Sequence, residues 1–315
     1  MTPGDVPPAM PVSLIGAPTD VGAGSLGARL GPDALRIAGL AQALAGQAER
    51  VLDVADRGNL TGPPNPQQPA RGGHRHLDEV TAWCLAARDA VAAELALGRL
   101  PVLMGGDHSL AIGSVSAVAR HCRERGLKLR VLWLDAHTDF NTPHTTPSGH
   151  LHGMPVAVLC GLGPPALTAL AGPVPALRAA DLRQIGIRSV DAAEKRLVHA
   201  AGLEVYDMRH IDEHGLRATM AQALDGVDEA THLHVSLDVD FLDPAIAPAV
   251  ATAVPGGPTW REAQLCMEMI ADTGRLGSLD LVELNPALDV RNQTAGLVVD
   301  LVESLFGKST LMRPR

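Results

Sequence analysis

Several stretches of this sequence place acids and imidazoles where an apolar run stops. Gly105-Gly-Asp107-His108 follows Pro101–Met104, and Asp135-Ala-His137-Thr-Asp139 follows Val131–Leu134. Asp238-Val-Asp240 follows His234–Leu237, and Glu283 follows Leu281-Val282. In extended chain, residues two apart share a face, so Asp135, His137 and Asp139 point one way, as do Asp238 and Asp240. Carboxylates gathered like this repel, and burying them unpaired is very costly. Two divalent cations resolve the conflict: their charge matches Asp135, Asp139, Asp238 and Asp240, with His108 and His137 giving one nitrogen ligand to each ion. A carboxylate-rich set with a few imidazoles and no thiolate suits Mn2+ better than structural Zn2+. The chemistry expected is hydrolysis by a bridging water ionised near neutral pH.

Alone, an Asp-x-Asp at a strand end is more often a turn or a helix cap. Three such clusters, each closing an apolar run, leave little room for that structural reading. Asp107 is read as orienting its loop for His108, and Asp243 and Asp280 as structural. His74, His76 and His144 are read as solvated loop residues, and His232 and His234 as core or sheet residues.

The elements that must position these groups alternate in type. Near-continuous apolar runs, as expected of strands buried on both faces, occupy Val12–Ala17, Val51–Val54, Pro101–Met104, Arg130–Leu134, Arg183–Ile187, Glu204–Tyr206, His232–Leu237 and Ser278–Leu284. Helical patterns fill Asp33–Ala45, Asp78–Gly98, Ser109–Arg125, Ala192–Ala201, Asp212–Ala223, Thr259–Asp272 and Arg291–Leu305. Strand alternating with helix predicts an α/β protein with a parallel sheet, a barrel or a doubly wound sheet, whose ligands bind at the carboxyl ends of the strands. Residues 58–73 and 161–175 are expected to be surface loops, and 1–10 and 307–315 loose tails. No composition break marks a linker, so 1–315 is read as a single domain.

Composition narrows the function classes. The 315 residues carry 26 Lys and Arg against 35 Asp and Glu, a net charge of −9, with no dense basic run; this argues against a nucleic-acid partner. Three Trp, three Phe and one Tyr leave little for base stacking. No apolar run approaches the roughly 18 residues of a membrane span, and the amino terminus does not read as a signal peptide. Cys84, Cys122, Cys160 and Cys266 are widely spaced and form no Cys-x-x-Cys. They read as reduced, mostly buried thiols of a cytoplasmic protein.

Five ordered motifs, GGDHS (105–109), DAHTDFNTP (135–143), SGHLHGMP (148–155), SLDVDFLDPAIAPAV (236–250) and VELNP (282–286), resemble the arginases of the ureohydrolase family. The similarity spans nearly the whole chain. It implies a three-layer α/β/α sandwich on an eight-stranded parallel sheet rather than a barrel, with the ligand-bearing strands as neighbours. It implies hydrolysis of L-arginine to L-ornithine and urea with two Mn2+ per subunit, by attack of a bridging hydroxide on the guanidinium carbon. One ion would be held by His108, Asp135, Asp139 and Asp238, the other by His137, Asp135, Asp238 and Asp240. Glu283 would dock the guanidinium, Asp139 would relay a proton to the leaving nitrogen, and His152 would act as proton shuttle or acid. Asn141 and Ser148 would bind the α-carboxylate with Thr146 nearby, Asp191 the α-ammonium with Glu194 close by, and Thr252 would line the site. A homo-oligomer, trimer or hexamer, is implied as well.

Two positions depart from the pattern of the animal enzymes: His150 stands where they have Asn, and Ser189 where they commonly have Asp. His150 could donate a hydrogen bond to the carboxylate, and would attract it more strongly if protonated. Three other readings compete. Another ureohydrolase, acting on agmatine or 4-guanidinobutyrate, shares the guanidinium; Glu283, the 148–153 loop and Asp191 favour arginine. A histone-deacetylase-like amidohydrolase keeps one catalytic metal, against the full ligand set here. A non-catalytic metal-binding subunit would be expected to have lost ligands or His152.

Overall fold

The structure is a computed structural model and describes residues 9–47 and 51–311. Eight strands form one all-parallel sheet: β1 (Met10–Ala17), β2 (Leu52–Asn59), β3 (Leu100–Gly105), β4 (Lys128–Leu134), β5 (Leu182–Ile187), β6 (Glu204–Asp207), β7 (Thr231–Asp238) and β8 (Leu276–Val282). Their order is β2-β1-β3-β8-β7-β4-β5-β6. The sheet is open, which settles the choice between barrel and sheet. The chain lays down β1 to β3, crosses over to build β4 to β6, then returns to fill the gap with β8 and β7. The strands β3, β8, β7 and β4 that end in the candidate chemistry are thereby consecutive neighbours.

Alternation explains why the strands read as continuous apolar runs. Leu233, Val235 and Leu237 of β7 join a core with Val12, Leu14, Val102, Met104, Leu132 and Leu134. That core is closed by the helices α1 (Gly31–Ile37), α2 (Leu40–Ala45), α9 (Leu216–Ala223), α10 (Trp260–Asp272) and α11 (Gln293–Leu305). The intervening positions face α3 (Leu77–Ala96), α4 (Ala111–Arg125) and α7 (Ala192–Ala201), through Leu103, Val131 and Trp133. Both faces are therefore buried, giving the three layers. On the α4 side β7 and β8 carry polar residues that bond to one another. Ser278 Oγ lies 2.9 Å from His232 Nε2 and 2.8 Å from His234 Nδ1, and Ser114 donates to Asp280. His232, His234 and Asp280 are thus structural core groups, as expected.

The differences from the expected elements have local causes. The helix expected over 33–45 is two, because Gly39 takes φ +86° between α1 and α2. The helix expected over 212–223 is α8 (Met208–His214) and α9, separated by Gly215 at φ +81°. Strand β2 runs on to Asn59, into the expected loop. The segment 161–175 is not all surface: α6 (Pro165–Thr168) buries Leu167, and Leu170 and Ala171 are buried beyond it. The short α5 (Pro155–Leu159), wholly buried, was not expected at all. Of the expected tails, Met10 opens β1, and the Lys308 amide bonds to Glu303 O; residues 1–8 and 312–315 lie outside the described residues. Among the described residues no helix is long and apolar enough to cross a membrane.

Candidate metal centre and substrate cleft

Register sets the site. Leu134 of β4 pairs with Leu237 of β7, so Asp135 and Asp238 emerge at the same level. Asp238 pairs with Val282, so Glu283 emerges one step beyond. Beyond β3 a short 3-10 turn, His108–Leu110, is capped by Asp107, which accepts from the Ser109 amide at 3.0 Å and from Gly22 N at 2.9 Å. Asp107 thus orients the loop, as the sequence suggested. Asp139 and Glu283 sit at φ +50° and +63°. This left-handed region costs a non-glycine residue roughly 1–3 kcal/mol and persists only where the surroundings impose it.

The six expected ligand residues converge. His108 Nδ1 lies 3.1 Å from Asp135 Oδ2, 3.2 Å from Asp139 Oδ2 and 3.1 Å from Asp238 Oδ2. One ring nitrogen carries at most one proton, so it cannot satisfy three carboxylates; a cation among the four atoms can. His137 Nδ1 lies 3.1 Å from Asp240 Oδ2 and 3.6 Å from Asp135 Oδ1. Two triads, His108–Asp135–Asp238 and Asp135–His137–Asp240, have ligand spacing and share Asp135. The ligands are themselves fixed. His108 stacks on Trp133 with ring centroids 4.1 Å apart, and its Nε2 meets Ser236 Oγ at 2.8 Å. Trp133 Nε1 donates to Asp135 Oδ2 at 2.9 Å, and Thr252 Oγ1 to Asp240 Oδ2 at 2.9 Å.

The electrostatics point the same way. Burial and then the charges of Asp240 and Asp135 push Asp238 well above the usual carboxylate range. Burial and Asp135 raise Asp139 to about 7. Burial disfavours a charged His137, but Asp135 and Asp240 outweigh it and lift it to about 12. Such a set holds protons that it would give up to a divalent cation. The buried Asp139 Oδ2 has no hydrogen-bond partner. The donor set and this orphaned oxygen fit a divalent metal.

Beside the cluster lies a cleft of about 220 Å3. His152 and Glu283 form its catalytic-looking wall. Glu283 Oε1 accepts from His108 N and faces His152 Nδ1, both at 2.9 Å, while Oε2 is buried without a partner. Burial works against a charged His152, but the charge and hydrogen bond of Glu283 prevail and raise it to about 9. Asn141, Asp191, Glu194 and Thr252 also line the cleft. Asn141 Nδ2 donates to Asp191 Oδ2 at 3.2 Å and its Oδ1 is buried and unpartnered. Glu194 accepts from the Phe140 amide at 2.8 Å and closes the capping box of α7 with Asp191, tying that helix to the metal loop.

Thr146, Ser148 and His150 are not among the residues lining the cleft. Thr146 Oγ1 accepts from the amides of Ser148 and Gly149, at 3.3 and 3.0 Å, and Ser148 Oγ from that of His150 at 3.3 Å. They shape the turn that delivers His152. Burial, then His152 and Arg75, lower His150 to about 4, so it is neutral near pH 7 and offers a hydrogen bond rather than a charge. His76 is not a solvated side chain: its Nδ1 lies 2.9 Å from Val21 O. Gly153 and Val190 line the cleft unforeseen; a glycine and a valine carry no chemistry that marks them in the sequence. Ser189, singled out only as a departure, also lines it.

Fold and site together define an α/β/α parallel-sheet protein with a carboxylate–imidazole cluster at its strand ends that could hold a metal ion. A family model described as Arginase family matches residues 10–307. The arginase of Brucella melitensis biotype 1 is 47% identical over 313 residues, covering 97% of this chain and 99% of that protein. The arginase of Agrobacterium fabrum is 47% identical over 302 residues, covering 95% and 92%. The native arginase structure from Bacillus caldovelox superposes with a TM-score of 0.88 at 38% identity, covering 96% of this chain and all of that one. The chain belongs to the arginase family, and is a hydrolase of the ureohydrolase type.

Proposed function

We propose that this protein is a manganese arginase, converting L-arginine and water to L-ornithine and urea. The observation that carries the reading is the single nitrogen His108 Nδ1 facing three carboxylate oxygens at 3.1–3.2 Å, beside a second His–Asp set that shares Asp135. His108, Asp135, Asp139 and Asp238 would hold one Mn2+; His137, Asp135, Asp238 and Asp240 the other. When bound, the pair supplies the Lewis acidity that makes water a nucleophile at neutral pH.

The chain's own groups do the rest. Glu283 offers its unpartnered Oε2 to the substrate guanidinium, a charge-assisted contact that fixes the reacting carbon over the cluster. Asp139 relays a proton to the leaving nitrogen, so that ornithine departs as a neutral amine. His152, tied through Nδ1 to Glu283, holds a proton on Nε2 at the cleft wall and restores the proton balance between turnovers. The oxygen of water ends in urea; one of its protons ends on the leaving nitrogen through Asp139, and the other leaves by way of His152 and joins the amine as ammonium once ornithine is released. Asn141 serves the α-carboxylate end from the cleft, with Ser148, Thr146 and His150 reaching it from the turn outside the lining; Asp191 and Glu194 serve the α-ammonium, and Thr252 the wall. We read residues 1–315 as one domain acting in the cytoplasm as a homo-oligomer, trimer or hexamer.

The test is urea release by Mn2+-loaded protein with arginine, agmatine and 4-guanidinobutyrate in parallel. Urea from arginine alone supports the reading. A preference for either other compound overturns the substrate, and no urea from any of them overturns the activity.

A further inference from the structure

Arg188 lies just past β5 and takes no part in the chemistry above, yet its guanidinium is fully engaged. Nε donates to Val254 O at 2.9 Å; Nη1 to Gly186 O and Phe241 O, both at 3.1 Å; Nη2 to Asp240 O at 2.7 Å and Leu242 O at 3.2 Å. A guanidinium has five N–H donors, and all five are spent on backbone carbonyls, none on a carboxylate. The main chain of the same residue reaches the opposite ligand loop: Arg188 N donates to Ala136 O at 2.9 Å, between Asp135 and His137. One residue thus joins the 240–242 turn, the segment that carries Thr252, and the 135–137 loop. Those are the three pieces that surround Asp240, which accepts from Ala136 N through Oδ1 and from Thr252 Oγ1 through Oδ2.

We propose that Arg188 is the positioning residue for the Asp240–His137 half of the metal centre, setting the affinity of the ion held there and not that of the ion beside His108. This rests on the two-ion reading above. Lysine keeps the charge but replaces a rigid five-donor fork by one ammonium with three donors, so Arg188→Lys removes the positioning alone. Groups that orient metal ligands are typically worth about 10- to 100-fold in metal affinity, and that is the loss expected. A second variant reaches Arg188 from outside the site. A Cβ on Gly257 would sit 2.6 Å from Arg188 Nη2 and 2.8 Å from its Cζ, with Asp243 N at 2.8 Å, so Gly257→Ala presses on the fork and on the turn beside it.

The experiment is a Mn2+ titration of metal-stripped wild type, Arg188→Lys and Gly257→Ala, read by bound Mn per chain and by electron paramagnetic resonance. Wild type should reach about two ions per chain, with the broadened spectrum of a coupled pair. The variants should bind one ion at the wild-type concentration, with the six-line spectrum of isolated Mn2+, and need about 10- to 100-fold more Mn2+ for the second. A residue that only staples the fold would lower the melting temperature and leave both Mn2+ midpoints unchanged; that result in a folded variant overturns the proposal. An equal weakening of both ions overturns it too. Fewer than two ions in wild type defeats the two-ion reading itself, and is seen before any variant is compared.

Discussion

Replacing Glu283 by Gln keeps the shape of the side chain and removes its charge from a position that is 1% exposed. Gln can still accept from His108 N, so the loop is held. Two things are lost. The first is the ionic partner of His152, which Glu283 holds near 9 against an ordinary 6.5; at about 1.4 kcal/mol per unit the pair is worth on the order of 3 kcal/mol. The second is the anion awaiting the guanidinium, where the amide would turn donors toward donors. Removing one partner of a buried pair costs about 3–5 kcal/mol, so kcat/KM for arginine should fall roughly 10^2- to 10^4-fold. The basic limb of the pH profile, expected near 9 where His152 loses its proton, should also move toward acid. Initial rates of urea release between pH 6 and 10 measure both. A Glu283→Gln enzyme within tenfold of wild type, with an unmoved basic limb, would refute the assignment of both residues.

The same pair predicts a stability window. The raised His152 stabilises the fold fully below about pH 6.5 and loses this as pH rises through about 9; the lowered Glu283 contributes above its ordinary 4.5 and loses this as pH falls. The difference in melting temperature between wild type and Glu283→Gln should therefore be largest between pH 5 and 6.5 and shrink above 9; a difference that grows with pH contradicts it. His150→Asn should change KM for arginine more than kcat, without a pH dependence between 6 and 9, since His150 is neutral there; a kcat effect at constant KM would place His150 elsewhere. Gly106→Ala should cost more than the ~1–3 kcal/mol of ordinary overpacking, because its Cβ would lie 1.6 Å from Thr19 O; a melting temperature within a degree or two of wild type would show that the loop gives way. Burial lifts the Cys122 and Cys160 thiols to about 12 and Cys84 higher still, so a thiol reagent should label all four cysteines after denaturation and none promptly before it.

The candidate metal ligands were legible because their chemistry survives as a one-dimensional pattern. Period-two spacing in Asp135-Ala-His137-Thr-Asp139 and Asp238-Val-Asp240 is strand geometry written in sequence, and apolar runs before them name the strands. What sequence could not supply was the order β3-β8-β7-β4, since adjacency of distant segments follows from packing; the family resemblance implied only that the ligand-bearing strands are neighbours. Helix breaks at Gly39 and Gly215 were missed because an isolated glycine within an amphipathic pattern signals a break only weakly. The sequence offers Asp191 and Glu194 as substrate contacts; the fold uses them as a capping box, whose Asp-x-x-Glu spacing is visible in the sequence. Arg188 left no signal at all: its partners are backbone carbonyls, which carry no residue identity.

The central claim is that one cluster, His108, Asp135, His137, Asp139, Asp238 and Asp240, holds the metal on which arginine hydrolysis depends. Protein stripped with EDTA and titrated with Mn2+ tests it directly, with bound metal and urea release followed together. No urea is expected at the start, and activity should climb with occupancy to a plateau at about two ions per chain. Full activity in the stripped protein, or two bound ions with no urea from arginine, would contradict it.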